Sequence, residues 1–300
     1  MRKILVTGGT VFVSRFIAEY YVNAGDEVYV LNRNHHPQPE NTILIEADRH
    51  HLGNILKQYD FDVVLDVNAY TAEDVACLLD ALKSFQDYIF ISSSAVYPES
   101  LPQPFYEQQL TGENKYWGAY GTNKIKAENE LLNRVPDAYI FRPPYLYGPM
   151  NNVYREAFVF ECAEQNRKFY LPKDGRMKLQ FFHVLDLCRC IDAVLDKHPS
   201  SHIFNVGNEK CISIKEWVEL CYRVTGHTAE FTEVHKDINQ REYFCFSDYE
   251  YELDISKQKE LISNTLPLEQ GLKEAWNWYK EHKNAVNRRE YIAYIDKNLA

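Results

Sequence analysis

The sequence predicts an α/β fold, a doubly wound parallel sheet. Three observations lead there. Short apolar runs alternate with amphipathic helical stripes through the first half of the chain. A glycine turn separates the first run from the first stripe. The runs are continuously apolar rather than alternating, as strands covered on both faces are.

Ile4-Leu5-Val6 reads as the first buried strand, ended by Thr7-Gly8-Gly9. Val13, Phe16, Ile17, Tyr20, Tyr21 and Ala24 then recur at helical spacing, and Gly25 stops that helix. Val28 to Leu31 is a second strand, and Ile43-Leu44-Ile45 is strand-like. Val63 to Val67, the stripe Val75, Leu78, Leu79 and Leu82, and Tyr88 to Ile91 repeat the strand-helix-strand pattern. A helix is expected over Tyr116 to Arg134, then an apolar run over Ala138 to Phe141 before the Pro143-Pro144 break. Right-handed crossovers turn this alternation into a doubly wound sheet.

The second half is less regular. Leu187 to Leu195 is an amphipathic helix, Ile203 to Val206 a short strand, and Ser213-Ile214-Lys215-Glu216 a capping box opening a helix. Leu268 to Tyr279 reads as a last core helix. No repeat, low-complexity tract or linker interrupts the chain, so one continuous core is expected.

Composition narrows the function. With 45% hydrophobic and 25% charged residues the chain is ordinary globular protein. A net charge of -10 without a Lys/Arg-dense stretch gives no footprint for nucleic acid as main partner. The apolar run after Met1 is too short for a signal-peptide core, and no run approaches the roughly 18 apolar residues of a membrane span. The seven cysteines are odd in number and scattered, and the Cys188/Cys190 spacing is too tight for zinc. They read as reduced thiols of a cytoplasmic protein. No metal site is expected; the pairs His35-His36 and His50-His51 sit in polar loops.

The segment from Thr7 to Ser14 is strand, turn and helix, the context in which free N–H groups of a first helical turn receive a pyrophosphate. Gly8, Thr10, Val11, Phe12 and Val13 are its candidate contacts. The pattern is degraded, because Val11 and Ser14 stand where G-x-x-G-x-x-G has its second and third glycines. A ligand-free glycine turn is the alternative. After the second strand come Asn32 and Arg33, where an NAD site usually has an acid for the ribose; Arg33 suits a 2'-phosphate instead. NADP is therefore favoured, with NAD the alternative. Asp48 is a candidate acceptor for an adenine amino group, or an ordinary loop aspartate.

Tyr120 and Lys124 project from one face of a helix. There an ammonium lowers the phenol's pKa and makes it a general acid/base for an alcohol that loses hydride. Chance supplies about one such spacing in a tyrosine-rich chain, and Tyr279 with Lys283 is a second. Tyr120 differs in its company: the strand ending at Ile91 runs into Ser92-Ser93-Ser94, at the sheet edge where ligands bind. Tyr279 is read as a tyrosine on a solvated helix face.

Six segments, Val6 to Thr10, Ile91 to Tyr97, Tyr120 to Lys124, Phe141 to Pro149, Phe182 to Asp186 and Phe204 to Gly207, occur in an order that resembles the NAD-dependent epimerase/dehydratase family, the extended short-chain dehydrogenases. The resemblance implies a Rossmann-type dinucleotide-binding domain over 1–150. It implies a substrate domain over most of 151–300, with about 181–210 returning to the first sheet. It assigns Ser93 as catalytic serine, Tyr120 as acid/base and Lys124 as the residue that tunes Tyr120 and holds the nicotinamide ribose. Val67 and Asn68 would line the cofactor, and Pro143 and Tyr145 would flank the nicotinamide. Ser94 and Tyr145 would neighbour the substrate. A homodimer through the Tyr120 helix is also implied.

Departures narrow this. Family dehydratases carry an Asp-Glu pair where this chain has Ser94-Ala95, so 4,6-dehydration is disfavoured. Many sugar-nucleotide enzymes hold the diphosphate with Arg-Asp where this chain has Leu179-Gln180; Arg176, Lys178 or Arg241 are the candidate substitutes. The glycine turn and Asn32-Arg33 look like an atypical branch that includes chloroplast stem-loop-binding proteins. The expected function is an NAD(P)-dependent epimerase or reductase of a secondary alcohol or ketone, with a nucleotide sugar as candidate substrate. The alternative is a non-catalytic NADP-binding regulatory or RNA-associated homologue.

Overall fold

The computed structural model describes all 300 residues. The first half builds β1 (Lys3–Thr7), α1 (Phe12–Asn23), β2 (Glu27–Asn32), β3 (Ile43–Glu46), β4 (Asp60–Asp66), α2 (Ala72–Ala81), β5 (Ser84–Ile91), α3 (Ala119–Arg134) and β6 (Tyr139–Arg142). The second half adds β7 (Tyr145–Tyr147), α4 (Glu156–Glu164), β8 (Phe169–Pro172), β9 (Lys178–Leu179), β10 (Phe181–His183), α5 (Val184–Lys197), β11 (Ile203–Asn205), β12 (Ile212–Ser213), α6 (Ile214–Val224), β13 (Phe231–Val234), α7 (Ser256–Leu261), α8 (Leu268–Glu281) and α9 (Tyr291–Asn298).

Seven strands form one parallel sheet in the order β11-β6-β5-β4-β1-β2-β3. The order reverses at β1, between β4 and β2, and a crevice at the carboxyl ends of the strands follows from that reversal. β11 pairs with β6 through Ile203 and Ile140, so the chain returns to this sheet after building β7 to β10. The capping box at Ser213 forms, with Oγ accepting from the Glu216 N–H while the Glu216 carboxylate accepts from the Ser213 N–H and hydroxyl.

The apolar interior is not one continuous core. Leu5, Val64 and Phe90 pack with α2 and α3 on one face of the sheet, and Val6, Leu65 and Ile91 pack with α1 and α5 on the other. A third and larger cluster, with Phe158, Trp217 and Tyr279 at its centre, belongs mostly to the second half. A sheet covered on both faces separates its own two cores. Tyr279 is 2% exposed inside this third cluster, which corrects the solvated reading. The α8 stripe Leu272, Ala275, Trp276 and Tyr279 faces inward, and Lys283 turns outward to Glu164.

Polar groups join the layers. Arg142 at the end of β6 pairs with Glu128 on α3, and its Nη1 donates to the Tyr97 hydroxyl at 2.8 Å. That hydroxyl donates to Asn205 on β11 at 2.7 Å. Three of the six motif segments therefore meet in one buried network. No helix is long and apolar enough to cross a membrane.

Candidate active site

Two cavities of about 600 and 550 Å³ lie at the carboxyl ends of the strands and meet at Phe12, Val13, Val67, Tyr70 and Val153. The first is built on the glycine turn. Gly8 has φ +86°, and a Cβ there would stand 3.0 Å from Ser14 Oγ and 3.2 Å from Asn68 Nδ2. The two departures from the glycine pattern are absorbed locally. Val11 is extended, at φ -136° and ψ 135°, a conformation any residue adopts. Ser14 donates its hydroxyl to the Val11 carbonyl at 2.9 Å. No side chain caps α1, so its first-turn N–H groups remain available to an anion.

The candidate cofactor contacts Thr10, Val11, Phe12, Val13, Asn32, Arg33, Asp48, Val67 and Asn68 all line this cavity. Two of them already have structural work. Asn32 Nδ2 donates to the Gly8 carbonyl at 2.7 Å, and Asp48 accepts the His50 N–H at 2.9 Å. That backbone bond is the main reason the Asp48 carboxyl titrates below its ordinary value. The sequence reading missed Arg49. Its Nη2 pairs with the buried Asp66 at 2.5 Å, while Nη1 is buried without a partner at the cavity wall. Nothing in the strand or helix periodicity marks that residue.

The second cavity holds Ser93, Tyr120 and Lys124 together with Ser94, Pro143 and Tyr145. Helix α3 reaches Ser93 because Gly121 has no side chain: a Cβ there would lie 2.3 Å from the Ala95 carbonyl oxygen. Lys124 Nζ donates to the carbonyls of Ala69 at 2.7 Å and Ile91 at 2.8 Å, and sits 5.3 Å from the Tyr70 ring centre. Burial lowers its pKa to about 8, against the opposing pull of Asp66 and Glu128.

The sequence reading expects the Lys124 ammonium to lower the Tyr120 pKa. The site does otherwise: burial raises it, and the opposing influences come from the Ser93 hydroxyl and from Arg155. Lys124 spends two of its three donors on backbone carbonyls, and Tyr120 is 39% exposed at the cavity. Ser94 donates to the Tyr251 hydroxyl at 3.1 Å, and Ala95 is buried, so no acid or base occupies the dehydratase positions.

Among the substitutes for a diphosphate clamp, only Arg241 lines this cavity. Lys178 does not: the two-residue strand β9 turns Leu179 into the core and Lys178 out, toward a separate surface recess beside Cys211 and Glu250. Arg176 is 88% exposed at its side chain and pairs with Asp174. Gln180 is buried and exchanges hydrogen bonds with Leu253. Sequence reading also missed Arg155 and Tyr251, which line the cavity from segments without clear periodicity, and Trp117, which stands just before α3. Outside both bonding networks, His50, Glu73 and Cys77 place donor atoms within 4.8 Å of one another, but His50 Nε2 is already taken by Asp74 at 3.0 Å.

The model of the NAD dependent epimerase/dehydratase family matches residues 4–207. The chain is 27% identical to the chloroplast stem-loop binding protein of 41 kDa b from Arabidopsis thaliana, over 92% of this chain and 79% of that protein. It is 24% identical to a UDP-glucose 4-epimerase of Corynebacterium glutamicum, over 75% and 81%. In fold it resembles a UDP-glucose 4-epimerase from Thermotoga maritima solved with UDP-glucose, with TM-score 0.76, 19% identity and coverage of 93% and 99%. A UDP-glucuronic acid 4-epimerase from Bacillus cereus, solved with UDP-glucuronic acid and NAD, gives TM-score 0.72 at 19% identity, with the same coverage. The chain belongs to the NAD-dependent epimerase/dehydratase family.

Proposed function

We propose that this chain is an NAD(P)-dependent epimerase or reductase acting on a secondary alcohol or ketone of a nucleotide sugar. The observation that carries the reading is the junction of the two cavities: the glycine-turn cavity opens at Phe12, Val13, Val67 and Tyr70 onto the one holding Ser93, Tyr120 and Lys124. The uncapped first turn of α1 leaves N–H donors suited to a dinucleotide. Gly8 and Thr10 to Val13 would hold its pyrophosphate, Arg33 and Asp48 its adenosine end, and Val67, Asn68 and Pro143 the remainder. When bound, the nicotinamide accepts and returns hydride.

The protein's own part is proton and charge control. Tyr120 takes the alcohol proton, and Ser93 donates a hydrogen bond to the oxygen as charge develops on it. Lys124 has one N–H left, after its two carbonyl bonds, for the cofactor ribose. A ketone that stays, turns and is reduced on its other face gives epimerisation; one that leaves gives a dehydrogenase or reductase.

NADP is favoured over NAD, since Arg33, His35 and His36 line the cavity beyond β2 where no acid follows the strand. Thermal-shift titration of NAD, NADP and a panel of nucleotide sugars tests the reading, because a ligand that binds the native state raises its stability. Stabilisation by a dinucleotide, increased further by a nucleotide sugar, is expected. No response to either dinucleotide contradicts it.

A second reading, an RNA-associated protein without chemistry, is favoured by the likeness to the Arabidopsis stem-loop binding protein. Micromolar RNA binding that persists at physiological salt, with no hydride transfer, would support it instead.

A further inference from the structure

His50 lies in the short turn Arg49–His51 after β3, and its ring is held against α2. Nε2 stands 3.0 Å from Asp74 Oδ1. The other oxygen of that carboxylate accepts from the N–H groups of Tyr70 and Thr71, at 2.8 and 2.9 Å, in the cap of α2. An ionised carboxylate only accepts, so Nε2 carries the ring proton and Nδ1 keeps its lone pair. The bond to Asp74 thus orients the ring and leaves the second nitrogen free. A carboxylate behind the imidazole is the arrangement found at metal-ligating histidines.

Nδ1 faces two side chains of α2. It lies 3.8 Å from Glu73 Oε1 and 3.9 Å from Cys77 Sγ. Glu73 and Cys77 stand one helical turn apart, so both project from the same face. The three donor atoms all fall within 4.8 Å of one another. A lone pair, a carboxylate and a sulfur therefore converge, and the thiol proton is the one hydrogen among them. A cation satisfies all three. Zinc, with bonds of about 2.0–2.3 Å, spaces tetrahedral ligands roughly 3.3–3.8 Å apart. The distances from Nδ1 lie at the upper edge of that spacing, and the Glu73 side chain, 77% exposed, is free to swing inward. Imidazole, thiolate and carboxylate together suit zinc, whereas magnesium and calcium take oxygen ligands.

We propose that His50 Nδ1, Glu73 and Cys77 bind one zinc ion, with water as the fourth ligand. The Cys77 thiol gives its proton to solvent as the Zn–S bond forms. The ion ties the turn after β3 to α2 at the rim of the glycine-turn cavity, which His50 and Asp74 both line. None of the three ligands lines the cavity of Ser93, Tyr120 and Lys124, so the site stands apart from the chemistry proposed there. Sequence spacing does not show it, because the fold brings the histidine and the cysteine together across 27 residues.

The test uses the full chain without an affinity tag, reduced and freed of metal. Zinc is titrated against a chromophoric chelator, and cobalt(II) is added to a second sample. One zinc per chain at micromolar affinity or tighter is expected, with a higher unfolding temperature in zinc. The cobalt form should show a thiolate-to-metal charge-transfer band and intense visible bands of a tetrahedral ion. His50→Gln and Cys77→Ser, each first shown by circular dichroism to fold as the parent does, should each weaken zinc by more than about 100-fold, beyond the effect of losing an outer-shell partner. Cys77→Ser should also remove the charge-transfer band. Absence of micromolar zinc binding by the parent overturns the proposal. So does parental affinity in either variant, or a charge-transfer band that survives in Cys77→Ser, since the metal then sits on another of the cysteines.

Discussion

Arg142 grips both carboxylate oxygens of Glu128, at 3.0 and 2.5 Å, and both side chains are 4% exposed. The pair fixes α3 against the end of β6, and Ser92 adds its hydroxyl to the same carboxylate. Removing one partner leaves a buried charge unpaired. Glu128→Ala is expected to cost about 3–5 kcal/mol in denaturant unfolding. Glu128→Leu combined with Arg142→Met should recover most of that loss.

Gly121 sets how closely α3 approaches the turn after Ser93. A methyl group there meets backbone rather than a flexible side chain. Gly121→Ala is expected to destabilise the protein by roughly 1–3 kcal/mol and to lower kcat more than it raises KM, since Tyr120 is displaced from Ser93. Unfolding curves and steady-state kinetics check both parts.

How much of this was legible in the sequence differs from residue to residue. Tyr120, Lys124 and the glycine turn were legible because each is a local pattern: two residues on one helical turn, or a turn between a strand and a helix. The Gly121 contact was not, because it pairs a helix with a turn on another strand. Lys178 was misjudged because a charge in a sequence carries no direction; the alternation along β9 decides it. Arg49 and Arg155 stand outside any periodic stripe, and only the meeting of distant segments reveals them. Even the core was mistaken in one respect, since apolar stripes report burial without saying which of three clusters receives them.

Burial of Lys124 has a consequence for pH. Its folded pKa, about 8, lies below the ordinary lysine range, so between the two the unfolded chain holds a proton that the folded chain has released. The cost of burying the charge is full below pH 8 and is relieved as pH rises. Lys124→Met should therefore be more stable than the parent at pH 7, by roughly 1–3 kcal/mol after the lost carbonyl bonds are deducted, and inactive. In the parent, kcat/KM should fall above pH 8 as the ammonium is lost.

Arg33 bears on the choice of cofactor. Arg33→Ala is expected to weaken NADP by about 10-fold or more while leaving NAD within about 3-fold, because only the 2'-phosphate loses a charged partner. Equilibrium titration with each dinucleotide reads the difference.

The proposed chemistry rests most directly on the Tyr120 hydroxyl. Single-turnover hydride transfer by Tyr120→Phe, in protein first shown by titration to bind NAD(P) as the parent does, is the measurement. A fall of about 10²- to 10⁴-fold with cofactor affinity unchanged is the expected result. Transfer at the parent rate would contradict it.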